Sequence, residues 1–147
     1  MDEAFLTQWL SLQAIDGVGD RTVLKLIQAF GSSDAVLHAT SGDLVAAGCS
    51  SDLADAIRRG PSAESRRQID RQVAAVVRLK VRTLTFFDDE YPGRLKMIPD
   101  PPPLLYASGV LVPQDAVAVA IVGGRRATPV GRMITEEIAK DLSESGV

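Results

Sequence analysis

Residues 117–147 read VAVAIVGGRRATPVGRMITEEIAKDLSESGV, and the fold is decided there. Val117, Val119, Ile121 and Val122 follow one another with only alanines between. A continuous apolar, β-branched run of this length suits a strand buried on both faces of a parallel sheet. The turn Gly123-Gly124-Arg125-Arg126 comes next. A helix then opens, with Thr128 as its N-cap and Pro129 at its first position. Ile134, Ile138 and Leu142 recur as one apolar stripe, and Glu136 and Lys140 form an i,i+4 pair on the wet side. Gly146 fits the C-cap, and Val147 begins the next strand. Strand, turn and helix in this order make the opening unit of a doubly wound α/β domain.

The turn has its own physical logic. Gly123 and Gly124 are free to take backbone angles denied to other residues and let a ligand approach the main chain. The helix start supplies unpaired N–H groups and a positive dipole end. Arg125 and Arg126 add guanidinium forks that match phosphate geometry. One reading is a phosphate site at Gly123, Gly124, Arg125 and Arg126. The other is a tight turn with two exposed arginines. The spacing fits neither G-x-G-x-x-G nor G-x-x-x-x-G-K-[ST], so the usual dinucleotide and P-loop readings lose their main support.

At 147 residues, 46% of them apolar, the chain has enough material for one real core or two small ones. A net charge of −3 gives no overall attraction to nucleic acid or anionic membrane, so a DNA binder of this charge must concentrate its basic groups locally. Cys49 is the only cysteine, which excludes an intramolecular disulfide and a Cys-rich zinc site. It reads as a small buried residue, and the single histidine, His38, as a helix-surface or capping group. There is no apolar run of membrane-spanning length and no signal-peptide pattern. A reduced, cytoplasmic protein is expected.

The first 60 residues read as short helices. Residues 3–15 carry Phe5, Leu6, Trp9, Leu10, Leu12 and Ile15 on one face, and residues 20–30 carry Val23, Leu24, Ile27 and Phe30. Ser32, Ser41 and Ser50 are N-caps of further short helices, and Gly60-Pro61 marks a boundary. Between the first two helices, Gly17-Val18-Gly19 matches a helix-hairpin-helix turn, whose backbone N–H groups meet a DNA phosphate. Charge opposes that role. Through Gly60 there are four basic and eight acidic residues, a local net of −4, and Asp16 and Asp20 flank the turn. Packing or protein interaction therefore stands beside a secondary DNA contact at Gly17, Val18 and Gly19.

Residues 62–79 form a helix with Ile69, Val73, Val76 and Val77 inward and Arg66, Arg67, Arg71 and Arg78 on a solvated outer face. A strand follows at 81–87. Asp88-Asp89-Glu90 caps a turn into Tyr91-Pro92, and no histidine or distant carboxylate joins it as a metal site. Leu95, Met97 and Ile98 make a short helical piece under the sheet. Residues 99–103, four of them proline, form a rigid connector, and 104–107 another short strand.

These pieces in this order resemble the DprA/Smf family of bacterial DNA-processing proteins. Residues 87–95, FDDEYPGRL, resemble its Asp-x-x-Tyr-Pro-x-x-Leu segment. Residues 98–109, IPDPPPLLYASG, resemble its Ile-Pro-Asp-x-Pro segment with a following Leu, aromatic and Gly. Residues 120–131, AIVGGRRATPVG, resemble its strand-to-turn signature Val-Gly-Ser-Arg. The resemblance implies a SAM-like or helix-hairpin-helix domain at 1–60. It implies the N-terminal part of a Rossmann-like DNA-binding domain at 61–147, truncated after its first strand-turn-helix. It further implies a non-enzymatic cytoplasmic protein with no cofactor that binds and protects incoming single-stranded DNA in natural transformation. The implied partners are single-stranded DNA and the RecA recombinase it helps to load. A homodimer is implied through a C-terminal part that the 147 residues do not include. Gly123 takes the place of the family's first glycine and Arg125 that of its phosphate-contacting arginine. Gly124 stands where the family has serine, so one hydroxyl donor is lost.

Two other function classes compete. The unit also suits the opening of a Rossmann-like nucleotide-processing enzyme such as a nucleotide phosphoribohydrolase, but the required Pro-Gly-Gly-x-Gly-Thr segment is not in the sequence. The third class is an interaction module with no nucleic-acid ligand. Either way, the open edges of residues 117–122 and the uncovered helix after them lead one to expect a less stable C-terminal half.

Overall fold

The computed structural model describes residues 2–110, 112, 117–124 and 126–147. Among them are eight helices and two strands. The first five helices are α1 (Glu3–Gln13), α2 (Asp20–Phe30), α3 (Ser33–His38), α4 (Ser41–Ala46) and α5 (Ser51–Arg59). Then come α6 (Ala63–Leu79), β1 (Arg82–Thr85), α7 (Gly93–Lys96), β2 (Leu104–Ala107) and α8 (Pro129–Glu144).

The helices start where short polar side chains cap them. Asp2, Ser32, Thr40, Ser50 and Ser62 each accept a hydrogen bond from a first-turn N–H. Thr40 takes the position expected of Ser41, and its hydroxyl also donates to Asp43, so the cap is locked from both sides. Several C-termini close by a left-handed residue. In α4 that residue is Gly48, which lets the Cys49 N–H reach back to Leu44 O.

One core holds the helical part together. Leu6, Trp9, Leu10 and Leu12 of α1 are buried with Val23, Leu26 and Ile27 of α2 and Val36 of α3. Leu44, Ala54 and Ile57 of α4 and α5 complete that side. Leu24 and Phe30, expected on the inner face of α2, are only half-buried, and Leu26 takes the central place. The core does not stop at Gly60. Ile69 and Val73 of α6 join it, since α6 packs along α1, and so does Leu104 of β2. Val77 is exposed although it lies within about 40° of Val73 around α6, because the core ends before the helix's last turn.

β1 and β2 pair antiparallel, with Arg82 opposite Ala107 and Thr85 opposite Leu104. The result is a mostly helical α/β arrangement with a two-stranded sheet. Two hydrogen bonds clamp the turn after β1 to the prolines before β2. The buried Tyr91 donates its hydroxyl to Pro102 O at 2.7 Å, and the Phe86 N–H donates to Pro103 O at 3.0 Å. Burial, then the nearby Asp20 carboxylate, pushes the Tyr91 phenol up from its ordinary value. Asp88 holds the turn as expected, its carboxylate accepting from the Thr85 N–H at 2.7 Å, and Glu90 pairs with Arg82. Met97 and Ile98 are exposed rather than under the sheet, because α7 ends at Lys96 and turns them outward.

The expected central strand at 117–122 is not formed. Those residues belong to no sheet, and Val122 is 90% exposed. The reason is physical: a strand buried on both faces needs hydrogen-bonded neighbours on both edges, and no other strand of the described residues lies beside it. The parallel sheet of a doubly wound domain is therefore not present in the described residues.

Lys80 joins α6 to β1 and is the one non-glycine residue with positive φ among those described, at 52°. It occupies the left-handed position of a helix-ending motif in which Val81 N–H bonds to Val76 O and Lys80 N–H to Val77 O. A side chain there carries a strain of roughly 1 kcal/mol that glycine avoids. Lys80→Gly is expected to stabilise the chain by about 0.5–1 kcal/mol in urea unfolding, whereas Lys80→Ala, which keeps the strain, gives no gain.

Candidate nucleic-acid interface

The sequence places its main site at the start of α8. Thr128 caps this helix as expected, with its hydroxyl accepting from the Gly131 N–H at 3.1 Å, and Pro129 takes the first position. Gly131 is suited to that place. A Cβ there would stand 3.2 Å from Thr128 Oγ1 and crowd the cap. At the far end Gly146 has φ +82°, Val147 N–H bonds to Leu142 O and Gly146 N–H to Ser143 O. The helix is thus closed at both ends by local chemistry. Its ion pair runs from Lys140 to Glu144, at 3.7 Å, rather than to Glu136. The apolar stripe is real but uncovered: Ile134 and Ile138 are both close to half exposed, and α8 buries no residue.

Gly123 and Gly124 lie in an open loop before the helix. Neither has a positive φ, and a Cβ on either would meet nothing within 4 Å. Their backbone is therefore not in a conformation reserved for glycine; what they contribute is an unobstructed main chain. Together with Ile121, Ala127, Arg132 and Thr135 they line a shallow depression of about 300 Å³. Arg126 is exposed beside it. Arg125 lies outside the described residues.

Arg132 had no part in the sequence-based site, yet its side chain borders the glycine loop. The signal was the cap itself: a helix starting after Thr128 puts Arg132 one turn on, above the cap. Neither Arg126 nor Arg132 has an ion-pair partner among the described residues. Glu136 on the same wall sets one negative charge against Arg132. The helix start itself offers an anion fewer donors than a bare first turn, because Pro129 brings no N–H and that of Gly131 is taken by Thr128. Anion binding here rests on guanidinium groups more than on the helix dipole.

The hairpin residues are arranged differently. Gly17 has φ +86°, and Leu53 Cδ1 lies 3.4 Å from where its Cβ would be. Val18 is buried, with its N–H bonded to Ile15 O at 3.0 Å. Gly19 begins α2 without a side-chain cap. The nearest cation in sequence, Arg21, faces Asp100 at 3.9 Å, while Asp20 stays at the turn and accepts weakly from Gln13. The turn is built for packing, and no basic side chain is drawn to it.

Other titratable groups are accounted for structurally. His38 Nδ1 donates to Asp34 O at 2.9 Å near the end of α3. Cys49 packs partly against the core; burial pushes its thiol up and the Lys25 ammonium only partly offsets this, the opposite of an activated nucleophile. Among the described residues no cluster of His, Cys, Asp or Glu suits a metal ion, and no helix is long and apolar enough to cross a membrane.

Among the described residues the loop is open and bordered by cationic side chains. Residues 82–147, a little under half of the chain, match the family model described as DNA recombination-mediator protein A. The match supports a DNA-processing protein of the DprA/Smf kind. No curated protein matches it.

Because α8 has no core to lean on, its caps decide whether it forms. Thr128→Ala is expected to cost about 1 kcal/mol of local helix stability and to speed amide exchange across the first turns of α8, leaving α1–α6 unchanged. Hydrogen exchange read peptide by peptide checks this.

Proposed function

We propose that the chain is the N-terminal part of a single-stranded-DNA-binding recombination mediator that acts in natural transformation. It protects incoming DNA and helps to load the RecA recombinase onto it. It works by binding, with no bond chemistry and no cofactor. The observation that carries this reading is the family match at 82–147, which ends on the Gly-Gly-Arg-Arg turn and α8. The exposed Arg126 and Arg132 beside an unobstructed glycine main chain support it.

In this reading Gly123, Gly124, Arg125 and Arg126 hold a DNA phosphate, and Arg132 is a further phosphate contact. Residues 1–60 act as the SAM-like or helix-hairpin-helix unit, and 61–147 begin a Rossmann-like domain whose sheet takes in residues 117–122. Gly17, Val18 and Gly19 contribute a weaker contact at most, given the acidic residues around them. A homodimer and action in the cytoplasm belong to the same reading.

The test is a salt titration of fluorescent oligo-dT binding. Arg125→Ala is expected to weaken binding more than Arg126→Ala does, and to lower the slope of log K against log salt by roughly 0.7, one phosphate contact on a single strand. Equal and negligible effects of the two substitutions would remove the assignment.

A further inference from the structure

The positive charge of the chain is concentrated away from the glycine loop. Residues 63–82 hold six basic side chains (Arg66, Arg67, Arg71, Arg78, Lys80, Arg82) against two acids (Glu64, Asp70), a local net of +4. The chain as a whole carries −3. Most of these groups sit on α6, the longest helix.

At 100° per residue, Arg67, Arg71 and Arg78 fall within about 40° of one another around the helix axis. Ile69 and Val73, which fasten α6 to α1, lie on the opposite side. Packing therefore fixes the direction in which the arginines point. They form a row with spacings of about 6 Å and about 10 Å along the axis, and Ala74 lies between the last two. Asp70 makes no ion pair among the described residues, and Glu64 is the acid that pairs with the row. It bonds to Arg67 at 2.5 Å and reaches Arg71 at 3.6 Å, while Arg78 has no ion-pair partner among the described residues. One carboxylate thus faces three guanidinium groups.

An aromatic ring borders the same helix. Tyr106 of β2 is 45% exposed, and Gln72 of α6 donates to its hydroxyl at 2.6 Å. Gln72 lies about 120° around the helix axis from the centre of the arginine row, so the ring flanks α6 rather than the row, and the row itself is what fits a polyanion.

We infer that the outer face of α6 is a second single-stranded nucleic-acid contact, in which Arg67, Arg71 and Arg78 hold backbone phosphates. This rests on the DNA-binding reading above and adds to it a surface outside the glycine loop. A single strand suits the site because its flexible backbone can follow the row along one helix face.

The experiment measures anisotropy of labelled oligo-dT with the whole chain, from 50 to 200 mM salt. The variants are Arg71→Ala/Arg78→Ala together and, separately, Glu64→Gln. The altered arginines are exposed, and far-UV circular dichroism checks that the fold is kept. The double variant is expected to bind about ten- to thirty-fold more weakly near 0.1 M salt, with the salt slope reduced by roughly 1.4. Glu64→Gln is expected to tighten binding, since it frees Arg67 and Arg71. Wild-type binding that the double variant leaves unchanged in affinity and slope overturns the inference while the glycine-loop reading stands. No wild-type binding to oligo-dT overturns both. Equal competition by poly-glutamate overturns the nucleic-acid assignment of this face.

Discussion

Burial of the inner face of α1 is the interaction on which the rest of the structure depends. Leu6, Trp9, Leu10 and Leu12 are all removed from water, and α3 and α6 pack against the same helix. Each such side chain contributes roughly 1.5–3 kcal/mol when fully buried. Four of them together are comparable to the whole net stability of a small domain, roughly 5–15 kcal/mol. The short helices α3, α4 and α5 have six to nine residues, too few to persist alone. They exist because this core gives them somewhere to bury Val36, Leu44 and Ile57.

The helical core also positions the basic face. Ile69 and Val73 hold α6 against α1, so every arginine on the far side of α6 is aimed by apolar contacts it does not itself make. From the end of that helix the chain passes into the antiparallel pair, which is held by the clamp between Tyr91 and Pro102. The two proline-containing segments that mark the family resemblance are thus halves of one structural device. Lys96 lies over the rings of Phe86 and Tyr91, at 5.4 and 5.7 Å from their centres, and ties α7 into it.

The helices were largely legible in the sequence because their signals are local. Asp20 to Phe30 is the helix its periodicity predicts, and Ser32 and Ser50 are caps where their spacing places them. The strand at 117–122 was not, because an apolar β-branched run states only a preference for burial; whether a sheet receives it depends on other strands. The same gap explains the uncovered stripe of α8. At the candidate site, residue type was readable and backbone geometry was not. The glycines suggested unusual angles, but the chain passes through them in ordinary ones. Arg132 was hidden because its relevance comes from helix phase and not from the turn motif.

The single tryptophan has a consequence for how this molecule is observed. Trp9 is 2% exposed, stands 5.6 Å from Phe5, and belongs to the helical core. The two tyrosines, Tyr91 and Tyr106, both lie in or beside the small sheet, and no Trp or Tyr occurs after residue 106. Intrinsic emission is therefore an address label. Excited at the red edge of the indole band, the chain reports only on the α1 neighbourhood, and tyrosine reports only on the sheet. The glycine loop and α8 are optically dark, so a dye or an introduced tryptophan there would be read against no native background from the same region.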